Sequence, residues 1–270
     1  MKIMYDCHLH SDFSTDSDTP AEQIIGRALS LGLDGICFTE HQDSDGPYPE
    51  GDFIIDFDAY FKQLNELREK YRGQIRIGIG MEFGMQPHLT AELDLLAQEL
   101  PFDFIIASQH LVNGEDPYYP VFFEGHEERD RYEEYFRFML EDLHSFNPAS
   151  YDTVGHLDYI VRYGPNRNAY YSYESYADML DPILRFLIER GKCLEINTGG
   201  LKYGLGEPNP CAGILRRYKE LGGELITIGS DAHAPEHLCY DFDIAEQLLK
   251  SLGFRYYTVF EQRIGRQIRL

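Results

Sequence analysis

A chain of 270 residues with 46 acidic and 24 basic side chains carries a formal charge of −22, which repels nucleic acid and anionic membranes and argues against both as partners. Apolar residues make up 43%, enough to bury one large core, yet no apolar run is long enough to span a bilayer. A start with only Lys2 before Asp6 does not resemble a signal peptide, and five scattered cysteines form no C-x-x-C pair. A cytoplasmic protein with reduced thiols, folded as a single domain over 1–270, is therefore expected.

In chain order, short β-type runs alternate with longer amphipathic ones. KIMYDCHLH reads as a strand and TPAEQIIGRALSLG as the helix after it. Thr19 and Glu22 are expected to form a capping box around Pro20, with Gly32 as the stop. DGICFTEH, IRIGIGMEF, FDFIIASQH, DTVGHLD, KCLEINT and ELITIGSDAH continue the strands. FDAYFKQLNELREKY, TAELDLLAQEL, ERDRYEEYFRFMLEDLHSF, YADMLDPILRFLIERG, CAGILRRYKELGG and DFDIAEQLLKSLG are the helices between and after them. Seven strands alternating with seven helices give the βαβ rhythm of a parallel sheet. The tail FRYYTVFEQRIGRQIRL reads as one or two more short strands.

Almost every strand ends in a residue that can ligate a metal: His8 and His10, His41, Glu82, His110, His156, then Asp231 with His233. In a parallel α/β barrel the strand C-termini converge on one face, so these residues would meet. His-x-His on a strand places both imidazoles on one side. A lone His-x-His also occurs in ordinary cores and surfaces; the joint pattern is what specifies a metal centre. Mixed imidazole and carboxylate donors suit Zn²⁺, Mn²⁺ or Fe, and the two oxygens of Glu82 could bridge two ions.

DCHLHSDFS, FTEH, GMEFG, ASQH, GHLD and GSDAH resemble the successive motifs of the PHP (polymerase and histidinol phosphatase) superfamily, from residue 5 to about 237. STDSD with Asp16, ASQHLVNG, GHLDYIVRYGP and LEINTGGLKYG are similar to its stand-alone histidinol-phosphate phosphatase branch. The resemblance implies a distorted (β/α)7 TIM-like barrel with three divalent metal ions at the C-terminal ends of the strands. His8, His10, Glu82 and Asp231 would hold the first ion. Glu82 would bridge to a second held by His110 and His156, while Asp16, His41 and His233 would hold the third. Arg162 and Lys202 would clamp the substrate phosphate, although a lysine lacks the bidentate geometry of arginine.

Six metal charges, less three carboxylates and a bridging hydroxide, leave a local charge of about +2, able to accept a phosphate dianion. Asp231, His233 and Glu82 would carry catalysis, with a metal-activated hydroxide attacking phosphorus in line with the ester oxygen. The implied reaction is hydrolysis of L-histidinol phosphate to L-histidinol and phosphate. The alternatives are a PHP phosphoesterase for another small phosphomonoester, a nucleotide or protein phosphotyrosine, and a non-catalytic metal-stabilised interaction module. The complete ligand set counts against the last of these.

Around this set, other residues keep two readings. Glu195 and Asn197 share a face of CLEINT and would either back a ligating imidazole or make structural hydrogen bonds. Asp12, Asp18 and Asp43 would back the site or lie in a solvated loop. Glu115 or Asp116, with the tyrosines of the long loops, could receive the imidazole and ammonium of a substrate. His88, His126, His144 and His237 match no ligand position, and His126 and His144 are expected to face solvent on a charged helix.

Overall fold

The computed structural model describes residues 3–48 and 53–270. The chain runs β1 (Tyr5–Leu9), α1 (Ala21–Leu31), β2 (Gly35–Phe38), β3 (His41–Gln42), α2 (Phe57–Lys70), β4 (Arg76–Gly84), α3 (Thr90–Glu99), β5 (Phe104–Ser108) and α4 (Glu128–Ser145). It continues with β6 (Thr153–Val154), α5 (Ala177–Arg190), β7 (Cys193–Asn197), α6 (Gly199–Lys202), α7 (Ala212–Glu220), β8 (Ile226–Gly229), α8 (Phe242–Ser251), β9 (Tyr256–Glu261) and β10 (Ile264–Arg269). The parallel strands are ordered β1-β2-β4-β5-β6-β7-β8. β3 is a continuation of β2 after a break at Thr39 and Glu40, and both pair with β4. The sheet closes where the segment after β8 returns to β1: Asp231 N donates to His8 O at 2.8 Å, and His10 N to Ala232 O at 2.8 Å. The expected seven-stranded barrel is thus present, with its strands buried on both faces as parallel sheets require.

Helices cover the outside through single apolar stripes. On α5, Leu180, Ile183, Leu184 and Leu187 recur at helical spacing and are all buried. The expected stop at Gly32 is observed, in the left-handed region with φ 71°. The capping box is not. Pro20 itself occupies the N-cap, leaving Thr19 one residue outside the helix. The Thr19 hydroxyl donates instead to His233 O at 3.1 Å, and Glu22 pairs with Lys70, the last residue of α2, and with Tyr71 just beyond it.

The tail forms the expected strands as an antiparallel hairpin. Its two-residue turn, Gln262 and Arg263, has φ 49° and 62°, the sign that right-twisted hairpins favour. The turn docks at the N-terminal end of the barrel: Gln262 N donates to Asp103 Oδ1 at 3.0 Å, and Arg263 Nε donates to Asp152 Oδ2. Burial pushes the Asp152 carboxyl up, and the Arg263 guanidinium opposes that shift. Replacing Arg263 with Ala should cost roughly 1–3 kcal/mol in urea unfolding, because a buried carboxylate loses its charged donor. Turnover should be unaffected, since the opposite end of the barrel carries the cluster described next.

Candidate metal centre

Strand geometry brings every expected ligand to one place. The alternation of β1 sends His8 and His10 to the same side, both fully buried. The long strand β4 carries Glu82 into the middle of the cluster. His110 follows β5, His156 follows β6, and Asp231 and His233 follow β8.

Glu82 is the hub, and its two oxygens divide the imidazoles. Oε2 lies 3.2 Å from His8 Nε2, 3.5 Å from His10 Nε2 and 3.1 Å from His41 Nδ1. Oε1 lies 2.9 Å from His156 Nε2 and 3.2 Å from His110 Nε2, and accepts from the Ser108 hydroxyl at 2.6 Å. Asp231 Oδ1 adds a carboxylate 3.5 Å from His10 Nε2 and 3.9 Å from His8 Nε2. At the rim, Asp16 Oδ2 stands 3.0 Å from His233 Nε2 and 3.6 Å from His41 Nε2. It is the most exposed of the nine.

These atoms fit metal ions. Among the described residues, His8 Nε2, His10 Nε2, His233 Nε2 and Glu82 Oε2 are buried without a hydrogen-bond partner, an arrangement that is costly unless something else occupies the space between them. Potential ligand atoms gather within 4.8 Å of one another in the sets His8–His10–Glu82, Glu82–His110–His156 and His10–His41–His233. Burial, reinforced by the neighbouring His233 and His41, holds His10 well below the usual imidazole range and so keeps it neutral. Burial opposes ionisation of Glu82, but His8, His110 and His41 outweigh it and hold that carboxyl well below its usual range. The same contest at Asp231 is won by Arg162 and His10.

A second layer orients the rings. Glu195 Oε1 takes the Nδ1 proton of His8 at 2.7 Å, and Asp43 Oδ1 that of His110 at 2.8 Å. Each contact frees Nε2 as a lone-pair donor. Both residues therefore take the backing role, whereas Asp12 and Asp18 are solvent-exposed. The Ser14 hydroxyl donates its one proton to Glu40 Oε2 at 2.6 Å, so it accepts from His10 Nδ1 at 3.1 Å and from His41 N at 3.1 Å. Sequence reasoning missed Ser14, Glu40 and Ser108. Glu40 stood in plain view in FTEH, and a carboxylate directly before the strand-end ligand His41 was the available signal.

The two expected phosphate cations also arrive here. Arg162, at the end of the short 3-10 turn Tyr159–Arg162, is buried and donates from Nη1 to Asp231 Oδ2 at 2.9 Å. Lys202 Nζ, on α6, donates to Asp231 O at 2.9 Å. The acids of the β5 loop separate: Glu115 is exposed and pairs with Arg131, while Asp116 is buried, which pushes its carboxyl up to about 6. His88, His126 and His144 lie outside the cluster and are exposed; His126 precedes α4 and is not part of it.

The PHP domain profile matches residues 6–199 of the chain. The chain is 33% identical to a protein of Clostridium acetobutylicum described as "Probable histidinol-phosphatase", covering 97% of this chain and 98% of that one. It is also 33% identical to the histidinol-phosphatase of Lactococcus lactis subsp. lactis, covering 94% and 93%. The fold matches the crystal structure of histidinol phosphate phosphatase from that organism, complexed with zinc, L-histidinol and phosphate. The TM-score is 0.90 at 32% identity, over 98% of this chain and 99% of that one.

If the Glu195 contact sets the His8 tautomer, Glu195→Ala should weaken divalent-metal binding by roughly 10–100-fold. Chelator competition measures this directly. Unchanged affinity would assign the contact to structure alone.

Proposed function

The chain belongs to the PHP-domain family, and from that premise we propose that it is a metal-dependent phosphomonoesterase that hydrolyses L-histidinol phosphate to L-histidinol and phosphate. The observation that carries the reading is the hub at Glu82: one carboxylate shared between two groups of buried imidazoles, with a buried arginine alongside. A relative of the same length and fold, crystallised with zinc, L-histidinol and phosphate, supports the substrate.

On this reading His8, His10, Glu82 and Asp231 hold one ion, Glu82, His110 and His156 a second, and Asp16, His41 and His233 a third. The donor set accepts Zn²⁺, Mn²⁺ or Fe. When bound, the ions activate water near neutral pH and neutralise charge that develops on the phosphoryl oxygens. Glu82, Asp231 and His233 would act through placement, supplying donor atoms that hold the ions beside the substrate phosphate. Arg162 supplies directional N–H donors to the phosphoryl oxygens, and Lys202 a further positive charge beside Asp231. Asp116, buried on the loop after β5, is placed to receive the substrate ammonium, with Tyr159 and Tyr163 as apolar walls. None of the described helices is long and apolar enough to cross a membrane. Five unpaired cysteines suit a reducing compartment, so we place the enzyme in the cytoplasm, acting on a small molecule and not on nucleic acid or a membrane.

A panel of phosphomonoesters tests the substrate. Histidinol phosphate should give the highest kcat/KM, by at least ~100-fold over nucleotides and phosphotyrosine peptides, in keeping with recognition of an ammonium and an imidazole together. Comparable rates across the panel would replace this reading with a general PHP phosphoesterase. Chelation should abolish turnover and added Zn²⁺ or Mn²⁺ restore it. Glu82→Ala should lose at least one ion by elemental analysis together with turnover; full metal content at the wild-type rate would remove the bridging role.

A further inference from the structure

Arg162 is held in an unusually complete set of hydrogen bonds. Nε donates to Asn209 Oδ1 at 2.8 Å, Nη2 to Asn197 Oδ1 at 2.9 Å and Nη1 to Asp231 Oδ2 at 2.9 Å. The Tyr159 and Tyr203 rings lie 5.4 and 5.1 Å from its central carbon. A guanidinium has five N–H donors in a rigid plane. With three of them committed to the protein, two are left, one on each terminal nitrogen.

The acceptors are themselves fixed. An amide side chain can present either its oxygen or its nitrogen to Arg162, and only the oxygen can accept. For Asn209 the choice is made by Asp158, which takes the amide nitrogen on Oδ1 at 2.6 Å and on its backbone O at 3.3 Å. A flipped amide would face the guanidinium with N–H and the carboxylate with oxygen, losing both contacts. Asp158 is in turn anchored by Cys211 N on Oδ2 at 2.9 Å, and it is only 1% exposed. Asn197 is fixed in the same way: its nitrogen donates to Glu195 Oε2 at 3.1 Å, and its oxygen also accepts from Gly199 N at 2.8 Å.

Space around the fork depends on two glycines. A Cβ on Gly199 would stand 2.7 Å from Arg162 Nη2, and one on Gly200 would stand 2.8 Å from Asn209 Oδ1. The glycine pair that opens α6 therefore lets backbone approach where side chains would push the arginine and its acceptor aside.

We infer that Asp158 and Asn209 are positioning residues that hold Arg162 as a two-donor fork for the phosphoryl group. The inference rests on the reading of Arg162 as a phosphate ligand. The hydrogen-bond acceptors of the Arg162 side chain are Asn209, Asn197 and Asp231, not Asp158. Asp158 acts by choosing which face of the Asn209 amide the arginine meets. The two free N–H groups then point at one locus instead of sampling several, and the entropy of orienting them is lost on folding rather than on binding.

The inhibition constant of inorganic phosphate, measured on full-length enzyme loaded to wild-type metal content, tests both levels. Arg162→Ala should raise it by roughly 100-fold; an unchanged value would overturn the phosphate-ligand reading itself. Asn209→Ala and Asp158→Asn should each raise it by roughly 10-fold, the scale of one hydrogen bond to a charged group. Adding Asp158→Asn to Arg162→Ala should raise it no further. Wild-type values for the two positioning variants, or effects that multiply in the Arg162→Ala background, would overturn the positioning role while leaving Arg162 in place.

The paired exchange Asp158→Asn with Asn209→Asp provides the rescue. It keeps the net charge, lets residue 158 donate to 209 and leaves 209 an acceptor for Arg162. Phosphate inhibition should return to within about threefold of wild type, under ~1 kcal/mol of residual cost, and failure to recover in a folded protein would count against the inference. A readout independent of turnover is the ¹⁵N signal of Arg162 Nε–H in metal-free protein. It should be protected from exchange in the wild type and unprotected in Asn209→Ala. Equal protection in both would overturn it.

Discussion

Burying one carboxylate among several imidazoles is the constraint on which the rest of the structure depends. Glu82 is fully buried, where an isolated charge would be very costly. Its environment answers with nitrogen atoms on both oxygens, and those nitrogens come from strands far apart in sequence. Each imidazole solves part of the Glu82 problem and creates another. Six rings packed this closely cannot all be doubly protonated, and any ring left neutral presents a lone pair. Lone pairs facing a carboxylate repel it. Cations between them remove both conflicts together, and the gathered donor atoms of the barrel interior suit that role.

The layer behind the ligands follows from the same requirement. A ring that offers Nε2 to a cation must place its other proton somewhere, and in a dry interior that place has to be built. Glu195 serves His8, Asp43 serves His110, and the Ser14–Glu40 pair serves His10. These partners hold rings still as well as selecting a tautomer. Glu195 does more than one job: its second oxygen accepts from His156 N at 2.8 Å and from Asn197. Through Asn197 the chain of contacts reaches Arg162. The imidazole–carboxylate cluster and the arginine beside it are thus parts of one hydrogen-bonded body.

The ligands were legible in the sequence because barrel geometry turns a linear regularity into a spatial one. A metal-capable residue at the end of each strand needs no knowledge of distances; the shared direction of the strands supplies it. The tail was legible only as one or two short strands, and their antiparallel pairing emerged from the structure. What escaped is what depends on long-range pairing. Asn209 and Asp158 are 51 positions apart, and nothing local marks either as part of an arginine's surroundings. Ser14 and Ser108 are ordinary hydroxyl residues until the proton inventory of their neighbours is drawn up. The misread capping box is instructive in the opposite sense. Thr19-Pro20-Ala21-Glu22 satisfies the local pattern, yet the proline moved the helix start by one residue, and a carbonyl of the distant His233 claimed the threonine hydroxyl.

Asp231 shows how closure of the barrel and assembly of the site are the same event. Its backbone sits at φ 56°, a left-handed conformation that costs a non-glycine residue about 1–3 kcal/mol. That turn of the chain is held by Asp231 N on His8 O and by His10 N on Ala232 O, the two hydrogen bonds that seal β8 against β1. Asp6 reinforces the seam from below, accepting from Ser230 N at 2.9 Å and Cys239 N at 2.9 Å. Only with the seam closed does Asp231 direct Oδ1 toward His8 and His10 while offering Oδ2 to Arg162 and its carbonyl to Lys202. A regular β-strand at this point would alternate side chains in and out and could not point one residue at both neighbours. The strained backbone is therefore what lets a single aspartate belong to the ion-binding group and to the pair of cations at once. It also places the positive charge of Arg162 beside the cluster, on the second oxygen of Asp231.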